Sequence, residues 1–386
     1  MKYYIAFCAI GLGHASRCAA IADELKKKGH QVVLSTYSPV YNSRFADKLR
    51  EQGYDIRPSQ IEMNGQLKND MLDTQSTFND LVIKYLTNIQ KQGKNIQIKN
   101  LKEVNPDIII SDGHVASVLA AKKLDIPYYI ILNQNRIDEL IAPSLYIPFK
   151  PLFNSIFTSL QGSAQKIIVP DFPKDKAICR FNMQDYGKKL ESKTNYVGPT
   201  VRKELELTEP HKFEKTTVYV SLGGVNRVGE LFNWLLPQIH RRTGIEFLVV
   251  NSKKSPKKDG VTHIGFLENP FSYMKGSQAI ITHGGHSTLI ESLLCGVPVI
   301  GITQEKHERL HNIQGLMHKK NDQEFNLGKL VMLDKLDTQL EDAVVEVTQN
   351  GYFDRVNDFL DDLEKQDGIH ANSGLKTAVE ILTSKN

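Results

Sequence analysis

Two consecutive doubly wound α/β domains facing a central cleft are what this sequence predicts. Strand-like and helix-like hydrophobic patterns alternate along the chain, the signature of parallel sheets covered by helices. The same opening (strand, glycine turn, helix) occurs twice, from Tyr3 and again from Thr217. Between them, a polar and charged stretch from Val197-Gly198-Pro199 to Lys215, with another proline at Pro210, reads as a boundary. At 386 residues the chain is also long for a single core. The expected division is residues 1–200, 201–350 and a pair of helices over 351–386 that can pack back on the first domain.

The first unit has the clearest pattern. Tyr3 to Ile10 reads as a buried strand and Gly11-Leu12-Gly13 as a turn; Cys18, Ile21, Ala22 and Leu25 then recur at helical spacing up to a stop at Gly29. Gln31 to Ser35 is the next strand, and others are expected at Asp107–Ser111, Pro127–Leu132 and Lys166–Val169. The pattern restarts with a strand over Thr217–Leu222, a turn at Gly223-Gly224 and a helix over Val228–His240. Strands follow at Phe247–Val250, Ala279–Thr282 and Val297–Ile302. Ligands of such sheets sit at the carboxyl ends of strands, and two facing domains place them in a cleft.

Composition narrows the function. The chain is 40% hydrophobic and 24% charged, with a net charge of +4 and a mean hydropathy of −0.32. That balance suits phosphorylated ligands or an anionic membrane surface and is too weakly basic to argue for nucleic acid. The four cysteines (Cys8, Cys18, Cys179, Cys295) lack metal or redox spacing. The strand pattern starts at once with no signal peptide before it, and no apolar stretch is long enough to span a bilayer, so a cytoplasmic location is expected.

The segment from His283 to Glu291 carries the strongest chemical signal. It follows the apolar run Ala279–Thr282 and opens a helix that ends at Cys295-Gly296. Such a turn aims unpaired N–H groups and the positive end of a helix at whatever lies above it. Gly284 and Gly285 allow close approach of a phosphate, Ser287 and Thr288 offer hydroxyls or caps, and His283 adds a donor. Glu291, one turn on, would accept bonds from vicinal ribose hydroxyls. The set fits a nucleoside diphosphate.

Other residues are read against plainer roles. Gly11 to Arg17 is a poor dinucleotide fingerprint, with Ser16 where a third glycine belongs and no acid after Leu34-Ser35-Thr36. His14 at the mouth of that turn is suited to take a proton from an acceptor hydroxyl; the plain reading is a locally satisfied histidine at a helix start. Asp112 would orient His14 or else cap the helix from about His114. Ser221, Gly223 and Gly224 form a second phosphate-type turn, and His263 to Leu267 would place Phe266 beside a base ring or simply end a strand. His307-Glu308-Arg309-Leu310-His311 formally matches H-E-x-x-H, but no third ligand follows, so sugar contact is preferred to metal, with a solvated face as the plain alternative. The apolar, proline-broken segment from Ile141 to Phe153 is read first as core or acceptor wall, and second as a membrane-docking surface.

With these motifs in place, the chain resembles a glycosyltransferase of the GT-B fold, two Rossmann-like domains facing a cleft. It is similar to the family of the peptidoglycan-lipid N-acetylglucosaminyltransferase and to the UDP-glucosyl and glucuronosyltransferases. The resemblance rests on residues 11–17, 221–224 and 263–312, and above all on His283 to Glu291 followed by Cys295-Gly296-Val297-Pro298. It implies that His283, Ser287 and Thr288 hold the diphosphate of a UDP-sugar and that Glu291 holds its ribose; Gly13, Gly284, Gly285 and His286 are counted with them as donor-binding residues. His283 stands eight residues before Glu291, where retaining relatives carry glutamate, which implies inversion. Donor-sugar contacts would fall on Glu308, Arg309 and His311, departing from the usual acidic and glutamine pattern. His14 matches the first-loop histidine and Asp112 resembles the aspartate of its dyad.

The expected activity is metal-independent transfer from a nucleotide sugar to a lipid, glycan or small-molecule hydroxyl, in glycolipid, cell-envelope or glycan synthesis. It would occur in the cytoplasm or peripherally at the inner membrane face. The rival expectations are a nucleotide-sugar hydrolase and a non-catalytic binder.

Overall fold

The computed structural model describes residues 1–8, 12–37, 41, 43–59, 67–68, 71–72, 93–135, 150–183, 188–222, 226–250, 255–265, 267–303, 308–320, 323–370 and 373–384. In the first half, strands β1 (Lys2–Phe7), β2 (Gln31–Thr36) and β3 (Asp55–Pro58) are followed by a short hairpin, β4 (Leu67–Lys68) and β5 (Met71–Leu72). Then come β6 (Ile108–Asp112), β7 (Tyr128–Ile131), β8 (Ile167–Val169) and β9 (Thr194–Tyr196). Apart from the hairpin, these strands make one parallel sheet in the order β3-β2-β1-β6-β7-β8-β9. Helices cover both faces, which is why β1 is almost wholly apolar. Tyr3, Ile5 and Phe7 enter the core under the helix Leu12–Lys27, while Tyr4 and Ala6 enter the core on the other face.

The order reverses between β1 and β6, so the chain leaves their carboxyl ends in opposite directions and opens a crevice. Phe7 pairs with Asp112 in register, and the Cys8 N–H donates to the Asp112 carbonyl at 2.9 Å. That register holds His14 on the helix Leu12–Lys27 beside the end of β6.

The second half contains β10 (Thr217–Ser221), β11 (Glu246–Val249), β12 (Ser255–Lys258), β13 (Val261–His263), β14 (Ala279–Thr282) and β15 (Val299–Thr303). A hairpin of β16 (Met317–Lys320) and β17 (Gln323–Asn326) precedes β18 (Gly328–Met332). The sheet order is β12-β13-β11-β10-β14-β15-β18, with only the edge strand β12 antiparallel. Here the reversal lies between β10 and β14, above which the helix His286–Leu294 begins. The glycine turn at Gly284-Gly285 thus follows a strand at a reversal point.

Three segments cross between the halves. After β8 the chain sends Phe172 and Ile178 into the second core, where Phe172 meets Phe359 edge-on with ring centroids 5.3 Å apart. At the far end, the helix Tyr352–Asp367 buries Val356, Phe359 and Leu363 in the second core. The helix Ser373–Thr383 then buries Leu375, Ala378, Val379 and Leu382 in the first core, and the Tyr3 hydroxyl donates to the Leu382 carbonyl at 3.0 Å. The outgoing and returning chains touch at Gly198, held at φ +92°, and Gly374.

A Cβ on Gly374 would lie 2.2 Å from the Gly198 carbonyl and 2.3 Å from that of Pro199, and backbone on both sides cannot yield. Gly374→Ala is therefore expected to cost at least about 1–3 kcal/mol in denaturant unfolding. Gly265→Ala, with open space around it, should stay within about 0.5 kcal/mol. Equal midpoints for the two variants would refute the tight crossing.

Candidate active site

The wall contributed by the first half centres on Asp112, which is fully buried. Its Oδ1 lies 2.8 Å from His14 Nδ1 and 2.5 Å from Arg17 Nη2, while Oδ2 receives Arg17 Nε at 2.5 Å and the Cys18 thiol at 3.4 Å. Burial alone would push this carboxyl up; the charge and hydrogen bonds of Arg17, then those of His14, outweigh it and hold it well below the usual carboxylate range. An ionised Asp112 accepts the Nδ1 proton of His14, and this fixes the tautomer with the Nε2 lone pair outward. Arg17 Nη2 also lies 3.0 Å from Nδ1, but a guanidinium has no acceptor, so this contact does not compete for the proton. His14 keeps 27% of its side chain exposed, enough to meet a substrate.

The capping alternative for Asp112 is thereby rejected. The cap of the helix Val115–Leu124 is His114, whose Nδ1 accepts the Ser117 N–H at 3.2 Å. Its Nε2 faces the Ser59 hydroxyl at 2.7 Å, and burial pushes its pKa down to about 3, so it acts as a neutral brace.

The opposite wall is the start of the helix His286–Leu294. Its cap is Gly285, with no side-chain capping bond, and the first intrahelical donor is the Leu289 N–H. Ser287 and Thr288 consequently lie in the first turn, a correction to their expected capping role. No acceptor among the described residues takes the N–H groups of His286, Ser287 or Thr288. The arrangement favours an anion. Gly284 at φ +77° makes the turn, and a Cβ there would press on Ile313 Cγ1 at 2.6 Å. His283 is buried at the end of β14.

Glu291 lines the same cleft as Gly13, Ser16, Arg17, His286 and Ser287. Burial pushes its pKa up to about 7, against the opposing charge of Arg202. The walls nearly meet, since a Cβ on Gly13 would lie 2.7 Å from the Ser287 hydroxyl.

A third carboxylate joins the walls. Asp171, just beyond β8, accepts from the backbone N–H groups of Phe172, Ile178 and Cys179 at 2.7, 3.1 and 2.7 Å. Its Oδ2 also accepts from His286 Nε2 at 2.9 Å. Asp171, Cys179 and His286 cluster closely enough to suggest a metal, yet those four donors already occupy the carboxylate. The geometry is that of a hydrogen-bonded joint.

Asn182 makes a second joint. Its amide donates to Asn312 Oδ1 at 2.7 Å and to the Glu308 carbonyl at 3.1 Å, and its Oδ1 lies 3.0 Å from His311 Nδ1. Glu308 is engaged by Asn312 Nδ2 at 3.0 Å, and Arg309 is held by burial below the usual guanidinium range, opposed by Glu308. The H-E-x-x-H segment is thus anchored through His311 to the first half. Ser221 ends β10 beside Thr282, half-buried. Gly223, Gly224, Phe266, His307 and residues 141–149 lie outside the described residues.

Arg17, Asp171, Asn182 and Asn312 were not picked out from sequence. Arg17 had a signal, standing one helical turn after His14. So did Asp171, at the carboxyl end of a predicted strand like Asp112. The two asparagines had none.

Comparisons with known proteins converge on one group. A family model described as "Glycosyl transferase family 1" matches residues 3–343. An uncharacterized glycosyltransferase of Methanosarcina acetivorans is 31% identical over 316 residues, covering 80% of each chain. The UDP-N-acetylglucosamine--N-acetylmuramyl-(pentapeptide) pyrophosphoryl-undecaprenol N-acetylglucosamine transferase of Thermosipho africanus is 27% identical over 243 residues, 61% of this chain and 62% of that protein. Among solved structures, the spinosyn rhamnosyltransferase SpnG complexed with thymidine diphosphate aligns with a TM-score of 0.65 at 12% identity, covering 98% of this chain and all of that one.

The Glu291 environment makes a stability prediction. Its folded pKa of about 7 exceeds the usual 4.5, so ionisation penalises the fold as pH rises between those values. Glu291→Gln should show no pH-dependent gain below about pH 4.5 and a growing one up to pH 7, levelling near ~3 kcal/mol. A gain that shrinks with rising pH, in chemical denaturation, would contradict the desolvated carboxylate.

Proposed function

Because this chain belongs to glycosyl transferase family 1, we propose that it inverts an anomeric centre while moving a sugar from a UDP-sugar to an acceptor hydroxyl. The chain is a glycosyltransferase with the GT-B fold; inversion, the uridine base and independence from metal are the finer reading. The observation that supports it is an Asp112-oriented imidazole on His14, whose chain neighbours Gly13, Ser16 and Arg17 line one cleft with His286 and Ser287 of an uncapped, amide-rich helix start.

The acceptor oxygen attacks the anomeric carbon as its proton passes to His14 Nε2. The bond from that carbon to the phosphate oxygen breaks, and the pair of electrons leaves on the diphosphate. The N–H groups at residues 286–288, aided by His283 and the Ser287 and Thr288 hydroxyls, stabilise that charge, and Glu291 accepts from the ribose. Fixed donors at a developing charge need no reorganisation, so they serve where a metal otherwise would. Uridine is favoured by the Thermosipho africanus relative, whose name specifies a UDP-sugar. That name also specifies a pyrophosphoryl-undecaprenol acceptor, which supports a cell-envelope lipid acceptor here ahead of other lipid, glycan or small-molecule acceptors. None of the helices among the described residues is long and apolar enough to cross a membrane.

Several measurements test this reading. His14→Ala should lower turnover by about 10²–10⁴-fold while UDP affinity stays within twofold. Near-normal turnover would remove His14 as the base. Glu291→Ala should weaken UDP binding. For the wild type, affinity for an intact UDP-sugar should rise as pH rises through about 7, because ribose hydroxyls donate to the ionised carboxylate; a flat titration would sink the ribose assignment. Free sugar released without acceptor at the rate of transfer would favour the hydrolase reading.

A further inference from the structure

A cavity of about 510 Å³ opens over the β7, β8 and β9 side of the first sheet, and among the described residues it shares none with the cleft lined by Gly13 and Glu291. The segment after β8 stands between the two, lending Pro170 to the cleft and Lys174, Arg180 and Met183 to the cavity. Leu132, Ile167, Met183 and Leu190 supply apolar surface; Asn135, Gln161, Thr194 and Tyr196 supply hydrogen-bonding groups. We propose that this cavity is a second ligand site, taking an uncharged amphiphile with a hydroxylated head and a short hydrocarbon body.

The charges argue for a neutral ligand. Lys174 and Glu191 pair with each other at 3.0 Å on the cavity's rim. Arg180 spends its guanidinium on the carbonyls of Ala177, Gly315 and Met317 at 2.9, 2.5 and 2.5 Å. Asp175, the remaining charged group, is exposed to water. An ionised ligand would lose its hydration here without gaining a counter-charge. A hydroxyl loses far less, and it finds a partner in Gln161. That side chain is 6% exposed and lines the cavity, and its amide meets no partner among the described residues. The volume lies within the range of small-molecule sites.

The inference does not depend on the transfer reading, and one set of titrations separates the two. Calorimetry on the full chain would use octyl glucoside below its micellar concentration, with octyl sulfate as the anionic match and UDP as the check on folding. The expected result is one saturable octyl glucoside site, at least about tenfold tighter than for octyl sulfate. Gln161→Leu should weaken it roughly threefold to tenfold, as loss of a hydrogen bond does. Met183→Trp should block it, and both variants should bind UDP as the wild type does. Absence of saturable binding, equal affinity for octyl sulfate, or indifference to both substitutions would overturn the site. Failure of the wild type to bind UDP would instead overturn the nucleotide reading and leave this one standing.

Discussion

The buried carboxylate of Asp171 is the constraint on which the arrangement of the site depends. An ionised group wholly removed from water is tolerable only if its lone pairs are filled. Three backbone N–H groups and His286 Nε2 fill them. The N–H groups come from the first half and the imidazole from the second. The demand to satisfy one charge thereby fixes where the anion-attracting helix start sits relative to the end of β8. The Asn182 and Asn312 pair adds a neutral amide joint between the halves, and Phe172 carries the same segment into the second core.

Asp112 shows the same logic applied to chemistry. Its charge is matched by Arg17, so its folded state tolerates full burial, and its remaining acceptor capacity orients His14. Glu291 is treated differently. It is desolvated with only the more distant charge of Arg202 to help it, and burial raises its pKa to about 7. The carboxylates of Asp112 and Asp171 are filled by hydrogen bonds and brace the site, whereas that of Glu291 is governed by desolvation. This division follows from environment alone, since all three are simple acids at the edge of a strand or on the first turns of a helix.

Much of the fold was legible because it rests on local signals. The almost wholly apolar run of β1, the glycine turns and the helical spacing of Cys18, Ile21, Ala22 and Leu25 are consequences of a strand buried on both faces feeding an amphipathic helix. The strands β3 and β9, with the sequences Asp-Ile-Arg-Pro and Thr-Asn-Tyr, carry no such run, because they lie at the edges of their sheet and face solvent. Of the candidate site, His14, Asp112 and the 283–291 turn could be named because each follows a predicted strand at its carboxyl end. The partners of those residues could not. Arg17 was visible only as a neighbour on the same helical face, and Asn182 meets Asn312 across 130 positions of chain.

By itself the sequence determined the repeated strand and helix units and the glycine-rich mouth at 283–286, since hydrophobic period and backbone freedom act over a few residues. Tertiary structure alone decided that Arg17 balances Asp112, that His114 rather than Asp112 caps its helix, and that Asp171 binds His286 across the interface. Those outcomes depend on which charges are buried together, and burial is a property of the packed chain that no local pattern encodes.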